Sequence, residues 1–523
     1  MNVASSPTGS CTGASSESAL SLALRYGDDL AGQLRCFDRV ILQGTLVDIA
    51  HPGALAVQMH AAGLTPCELV RFAQPFNDQV RDNAILLGRQ HGVEVEYIQK
   101  KNFRQEDRIA DILKRRGSHP GLVHIFSAKE SGTVFETRKN KQSGHVRLVA
   151  RRGACLHYYF YWMHEQLGLI YVRVQTWLPL RLQVYFNGHF WLARQLDQAG
   201  IAYQMADNAM VACSDWSGAQ KLADGLDARI LHQQLKSLAE LCCPAALRFS
   251  NGYHWSFMQV EYAQDLVFKD SERASRLFDE LAREAILTIR ADDVARFLGR
   301  QVPRQYDTPL NSHLGGRQEG LRLKHSLGPA SVKLYNKPGG VLRLEGTTYD
   351  VSFFKHYRKV VHRDGTQEGK VAPLKKSLYG LRDVSGVMGA AVERYAQWLG
   401  ALTERSSGRA DLEKVGKPAR DEAGRSYRGF NLFLATDLAA LLGVLRGEFA
   451  TYGLSVRRLY DQLPNWTSNQ ISRLLKRLRL HGMLKKKGHS YTYYLTELGR
   501  RLMLTLLRLR EHLVVPAITP KTS

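Results

Sequence analysis

Asp38 stands at the edge of the β-branched run in RCFDRVILQGTLVD (Arg35 to Asp48), the kind of position from which a carboxylate can hold a divalent metal for phosphoryl transfer. Two-metal chemistry of that type needs several carboxylates converging within a few ångströms. Asp48, Glu130, Glu136, Asp207 and Asp215 are the other acids that could join Asp38. The plainer role for Asp38 is an ion pair with Arg39 or a turn cap. Further along, VKLYNKPGGVLRLEGTT offers Tyr335 as a nucleophile beside Lys337, Arg343 and Glu345. A tyrosine nucleophile needs a metal to polarise the phosphate, and His157 and His164 are too far apart in sequence to form the usual pair of histidine ligands. The plainer role here is a cross-strand ion pair of Lys337 or Arg343 with Glu345. Asp38, Tyr335 and Glu345 are thus the catalytic candidates, with Mg²⁺ or Mn²⁺ implied only if the chain is a nuclease and no cofactor or metal otherwise.

A second chemistry is cationic. ETRKNKQSGHVRLVARRG carries Arg138, Lys139, Lys141, Arg147, Arg151 and Arg152, and HYYFYW follows it. Cations that track phosphates beside rings that stack on bases make a nucleic-acid groove, although rings in a strand also serve as core. FFKHYRKVVHR (Phe353 to Arg363) repeats the theme. No phosphate-binding P-loop, dinucleotide fingerprint, H-E-x-x-H or G-x-S-x-G motif occurs, which counts against ATP-driven, hydride-transfer and common hydrolase chemistry.

The elements that must position these residues fall into blocks. PFNDQVRDNAILLGRQHGVEVEYI predicts a helix stopped by Gly92 and then a strand; RQEDRIADILKRRG predicts a helix closed by Gly117; GLVHIFSAKES predicts the next strand. This alternation points to an α/β layer up to about residue 130. Between Cys155 and Trp191 the alternating aromatic and β-branched texture predicts antiparallel strands with a turn at Asn187-Gly188. Residues 218–302 show helical periodicity, and ASVKLYNKPGGVLRLEGTTYD predicts a hairpin turning at Lys337-Pro338-Gly339-Gly340.

In SNQISRLLKRLRLHGMLKKKGHSYTYYLTELG (Ser468 to Gly499), Ile471, Leu474, Leu475 and Leu478 share one helical face, and Asn469, Arg473, Lys476 and Arg477 lie opposite with Gln470 at the edge. Ser455 predicts the N-cap of the preceding helix, and Thr467 or Ser468 that of this one. A strand, a Lys-Gly-His turn, a strand and a final helix follow. From Gly453 to Ser523 there are fourteen Lys/Arg against three Asp/Glu. The order of elements and LTELGRR resemble the MarR-like winged helix-turn-helix regulators over about residues 430 to 512. The resemblance implies duplex DNA as partner. Ser468, Asn469, Gln470 and Arg473 would then face base edges, Lys476, Arg477, Lys485, Lys486 and Lys487 the phosphates, and the wing around His489 a minor groove. The Tyr335-to-Glu345 block is similar to a stretch of phage and plasmid replication initiators. FDRV, SVKLYNK and FFKHYR resemble blocks of a bacterial, mobile-element-associated family, a likeness that carries no activity with it.

The chain has 523 residues, 44% of them hydrophobic, and a formal net charge of +23, which favours a polyanionic partner. Its seven scattered cysteines, its Ser/Gly-rich start and the absence of a long apolar run point to a cytoplasmic protein with no membrane partner. The expected fold is a mixed α/β body with a C-terminal winged helix-turn-helix. Its parts are a disordered leader (1–25), an α/β to β-rich nucleic-acid-engaging body (26–217), a helical subdomain (218–302), a hairpin-containing subdomain (303–404), a linker (405–429) and the winged domain (430–523). The expected function is DNA binding, with the body contacting RNA or single-stranded DNA as a further option and a homodimer compatible with either. The alternatives are a metal-dependent nuclease, transposase or replication initiator guided by the winged helix, and a transcriptional regulator or protein-interaction adaptor.

Overall fold

The computed structural model describes residues 21–99, 102–142, 144–300, 311–317, 320–362, 364–403, 406–431, 434–445, 453–488, 490–510 and 514–515. The chain divides after Leu402 into two compact units. Among the described residues no helix is long and apolar enough to cross a membrane.

The first unit is mixed α/β around one large sheet. Its strands are β1 (Leu30–Leu46), β2 (Val95–Tyr97), β3 (Gly121–Lys139), β4 (Val146–His164), β5 (Gly168–Gln175), β6 (Leu182–Asn187), β9 (Tyr253–Phe268), β10 (Asn311–Arg317), β11 (Gly320–Leu327), β12 (Ala330–Lys337) and β13 (Val341–Thr348), while β7 (Tyr203–Ala206) and β8 (Ala209–Cys213) form a separate hairpin. The eleven strands run in the order β10-β11-β12-β13-β9-β1-β6-β5-β4-β3-β2. Among the described residues only β2 and β3 pair in parallel, bridged by the helix Gln105–Arg116; every other pair of the sheet is antiparallel. The predicted α/β alternation is therefore confined to that crossover. Two-residue periodicity sorts the side chains. Tyr158, Phe160 and Trp162 of HYYFYW enter the main core, with Val172, Val174, Val184, Phe186, Leu342 and Leu344. The helices Leu69–His91, Ala228–Cys242, Ser271–Thr288 and Leu381–Thr403 cover that face. Tyr159 and Tyr161 point to the other face, where smaller clusters form under Gln105–Arg116 and under the helices Gly188–Ala199 and Trp216–Asp224.

Several boundaries differ from the sequence expectation. Of the expected leader 1–25, residues 1–20 lie outside the described residues, and Leu22–Arg25 is a short helix whose Leu22 is fully buried. The region 218–302 is not a helical subdomain, because β9 runs through it at the centre of the sheet. The hairpin at 337–340 is present, with β12 and β13 in register from Lys337↔Val341 outward. Asn187-Gly188 is not a hairpin turn: Asn187 ends β6 and caps the helix Gly188–Ala199, its side-chain oxygen accepting from the His189 and Phe190 amides. Gly188 is required there, since an added Cβ would overlap the carbonyl oxygen of Phe37 on β1.

The second unit has its own core of Val415, Leu441, Leu459, Ile471, Leu474, Leu475, Leu478, Leu484 and Met503. Its elements are the helices Ser406–Gly416, Ala435–Val444, Val456–Tyr460, Ser468–Leu480 and Glu497–Leu509, with strands Leu484–Lys486 and Tyr493–Leu495 pairing antiparallel and Leu454 bridging to Tyr493. The expected linker 405–429 is folded into this unit where it is described. It contains a helix and a tight hairpin, Ala419–Arg420 with Ser426–Tyr427, because Asp421 and the carbonyls of Arg428 and Gly429 are partners of the helix Ser468–Leu480.

Gly188→Ala is expected to destabilise the first unit by more than about 1 kcal/mol in chemical denaturation. Gly386→Ala, on an exposed helical position with nothing near an added Cβ, should be neutral or stabilising by up to about 1 kcal/mol.

Candidate nucleic-acid interface and a buried charge centre

A bulge in β1 places two residues, Asp38 and Arg39, against the single Glu261 of β9. Such a bulge re-aims a side chain, and Asp38 turns into the sheet, only 6% exposed. Its Oδ1 accepts from Asn187 Nδ2 at 2.7 Å and Asn208 Nδ2 at 2.9 Å, and its Oδ2 lies 3.2 Å from Arg343 Nη1. Asn187 therefore serves twice, as helix cap and as Asp38 donor. His189, set by that cap, sits between Asp38 (Nδ1, 3.3 Å) and Asp265 (Nε2, 3.1 Å). Arg343 on β13 faces Asp265 directly across to β9 and donates to it through Nε at 2.6 Å and Nη2 at 2.8 Å. One register step away, Lys333 of β12 lies opposite Glu345 of β13 and bridges Glu345 at 2.5 Å and Glu261 at 3.1 Å.

Burial penalises every one of these charges, and the pairing decides which survive. Burial raises the pKa of Asp38, but Arg343, His189 and Lys337 outweigh it and hold the carboxyl well below its ordinary range. Asp265 is held at about 2, where Arg343 and His189 overcome burial. Burial and Arg343 oppose protonation of His189; Cys36 and the hydrogen bonds to Asp265 and Asp38 prevail and raise its pKa well above the ordinary value. Glu345 goes the other way: burial and the neighbouring Glu261 outweigh Lys333 and push it up to about 7.

Two of the three catalytic candidates thus meet in space, for oxygens of Asp38, Glu261 and Glu345 lie within 4.8 Å of one another. As a metal site the donor set does not fit. The Lys333 ammonium already binds Glu261 and Glu345, and Asp38 is engaged by two amides, a histidine and a guanidinium. Lys333, Arg343 and His189 thus already occupy the carboxylate oxygens of the centre that an ion would need. No metal-dependent step is derived from it. Tyr335, buried on β12, has the ammonium groups of Lys337 and Lys333 at 5.4 and 5.9 Å from its ring.

The plainer pairings are corrected as well. Arg343 serves Asp265 and Asp38 while Glu345 takes Lys333, and Asp38 makes its ion pairs with Arg343 and His189. The other proposed carboxylates do not converge on Asp38: Asp48 holds Asn251, Glu130 holds Arg173 and Tyr159, Glu136 pairs with Arg151, and Asp215 caps a helix. Asp207 reaches the rim of the centre, 3.8 Å from Lys337. Sequence reasoning missed His189, Asp265, Glu261, Lys333 and Asn208. For Glu261, Asp265 and Lys333 the available signal was a polar residue among apolar neighbours in a strand, whereas His189 opens a helix and Asn208 lies in the turn after β7, where nothing local marks them.

In the second unit the helix Ser468–Leu480 opens on a capping box in which Thr467 and Gln470 satisfy each other's backbone amides. Ser468, Asn469 and Arg473 are exposed, and Asn469 and Arg473, four apart, share a face. Gln470 is exposed too, but its side-chain oxygen is spent on the cap. Arg477 is not a surface cation. It is 8% exposed, fixed by two hydrogen bonds to Asp437 and by the carbonyls of Arg428 and Gly429. Lys476 is paired with Asp421 at 2.5 Å and lies over the Tyr427 ring. Lys485 and Lys487 are exposed and Lys486 lies over Tyr491; His489 is outside the described residues. An open groove of about 860 Å³ between the helix Val456–Tyr460 and the hairpin is lined by Arg457, Arg458, Asp461, Lys487, Ser490 and Tyr494 among others. Arg457 is exposed and was absent from the sequence-based set.

The cations of the body lie on β3, on β4 and in the turn between them. Arg138, Lys139, Lys141, Arg147, Arg151 and Arg152 are all exposed, and Arg151 alone has an acidic partner among the described residues, Glu136. FFKHYRKVVHR supplies the strand Lys355–Val361, paired with Gln367–Pro373 in a separate two-stranded ribbon with Tyr357 exposed. No family model, curated protein or solved structure matches the chain.

Because the folded-state pKa of Glu345, about 7, lies above its ordinary 4.5, its contribution to stability is complete below the unfolded pKa and is lost as pH rises through the folded one. Glu345→Gln should therefore show a flatter fall in unfolding midpoint than the parent between about pH 4.5 and 7. Thermal unfolding across that window checks it; parallel curves would place Glu345 outside the coupled centre.

Proposed function

We propose that the chain is a DNA-binding protein in which residues 403–523 form a winged helix-turn-helix that engages duplex DNA. One observation carries the reading. The helix Ser468–Leu480 buries Ile471, Leu474, Leu475 and Leu478 in its unit's core while presenting Asn469 and Arg473, and it is followed by a hairpin bearing Lys485, Lys486 and Lys487. At about 1.5 Å per residue such a helix spans roughly 20 Å, and the major groove admits one α-helix. Asn469 and Arg473 have the donors and acceptors that distinguish base edges. Gln470 leaves the base-reading set because of its cap, and Lys476 and Arg477 leave the phosphate-contacting set because Asp421 and Asp437 neutralise them. Lys485, Lys487 and Arg457 take over the phosphate contacts that fix register without reading sequence.

The test is fluorescence anisotropy with a duplex selected from a random pool and with its scrambled counterpart. Arg473→Ala should weaken binding to the selected site by about 1–3 kcal/mol and leave the scrambled duplex nearly unaffected. Replacing Lys485, Lys486 and Lys487 by alanine should weaken both duplexes alike and flatten the salt dependence. An Arg473→Ala protein that binds both duplexes as the parent does would remove the base-reading role.

A further inference from the structure

We propose that the outer part of the β3–β4 hairpin is a second DNA contact, a basic two-stranded ribbon that enters the major groove of a duplex. It rests on residues in the first unit and is independent of the winged-helix reading. Beyond Ala128 and His157, β3 and β4 pair only with each other among the described strands: β4 meets β5 through residues 157–164 and β3 meets β2 through 125–127. A lone hairpin is marginal in water, but this one is braced at its base. Trp177 Nε1 donates to the Phe135 carbonyl at 3.0 Å, the Phe135 amide donates to Leu178 at 3.2 Å, Gln175 Nε2 donates to the Thr133 carbonyl at 2.8 Å, and Phe135 and Leu148 are buried in the main core. The tip beyond the brace is exposed and holds Arg138, Lys139, Lys141 and Arg147, with no acidic residue between Thr137 and Arg152.

The placement of these cations distinguishes the tip from an ordinary solvated face. Arg138 and Arg147 occupy directly opposite positions of the antiparallel pair. Like charges so placed destabilise a hairpin, and an opposing polyanion removes the penalty. Among the described residues Arg138, Lys139, Lys141 and Arg147 make no ion pair with an acid, whereas the cations of the buried centre are paired with carboxylates. The dimensions agree with a duplex. From Phe135 to Asn140 an extended strand covers about 17 Å at roughly 3.3 Å per residue, against a major groove about 8.5 Å deep and 12 Å wide that accepts a two-stranded ribbon. The deep, narrow major groove of A-form RNA does not.

The experiment uses the full chain and a random-sequence duplex at several salt concentrations. Arg138, Lys139, Lys141 and Arg147 are replaced by glutamine, both in the parent and in a chain already carrying Arg473→Ala with Lys485, Lys486 and Lys487 to alanine. The ribbon variant is expected to lose at least tenfold in affinity and to make the slope of log K against log salt shallower by about 2–4 in both backgrounds. A double Arg138→Lys, Arg147→Lys variant should keep the parental slope, which separates lost charge from lost folding. Unchanged affinity and slope in both backgrounds would overturn the proposal. So would an equal loss on duplex RNA, which would mean contact without groove entry. Should the winged-helix substitutions prove silent while the ribbon substitutions act, that reading fails and this one stands.

Discussion

The first unit depends on a guanidinium shut off from bulk solvent. Arg343 is fully buried, and an unpaired charge there would be prohibitive. Asp265 answers it from the facing strand and Asp38 from a bulge in the next, while Asn208 offers a backbone carbonyl. Each answer fixes a piece of architecture. The register of β13 on β9 is set by Arg343 opposite Asp265, the bulge in β1 delivers Asp38, and the Asn187 cap delivers His189. Lys333, Glu345 and Glu261 extend the same logic by one step along the strands. Removing one member of such a network strands its partners, a loss of about 3–5 kcal/mol for a buried pair.

Charge is handled in opposite ways inside and outside. In the interior, carboxylates and cations are matched to one another, and the centre that most resembles a catalytic site from its residue types is closed by Lys333 and Arg343. At the surface, the cations of the β3–β4 tip and the three lysines of the hairpin after the helix Ser468–Leu480 make no ion pair among the described residues. The contrast is sharpest within one helix, where Arg473 and Arg477 differ by four residues. Asp437 and two carbonyls hold the second, and among the described residues the first is exposed with no such partners. These cations contribute to the chain's net charge of +23, and polyanions are what such surfaces attract.

Much of the local structure was legible. Gly92 and Gly117 end helices where glycine's access to positive φ predicts a stop, and the Pro-Gly-Gly turn sets β12 against β13. The helix Ser468–Leu480 declared its buried face through Ile471, Leu474, Leu475 and Leu478. What failed were features decided by distant partners. Asn187-Gly188 has the signature of a hairpin turn, yet the tight approach to Phe37 and the need of Asp38 for a donor make it a helix start. β9 was hidden because a second irregularity in its pairing with β1, which leaves Met258 unpaired between Phe257 and Gln259, breaks its alternation, and because Glu261, Gln264 and Asp265 are polar residues with no exposed face to explain them. Asp38 and Glu345 were found by residue type, but their partners lie up to about 300 residues away, and no spacing rule reaches that far.

The central claim is that this chain meets a polyanionic duplex through cations left unmatched on its surface. Its most direct test is the salt dependence of binding by the unmodified full chain to a random-sequence duplex of about 30 base pairs. The account predicts measurable binding at low salt with a log K against log salt slope between about −4 and −8, as expected when roughly five to nine phosphates are neutralised. Absence of binding at low salt, or a slope near zero, would contradict it.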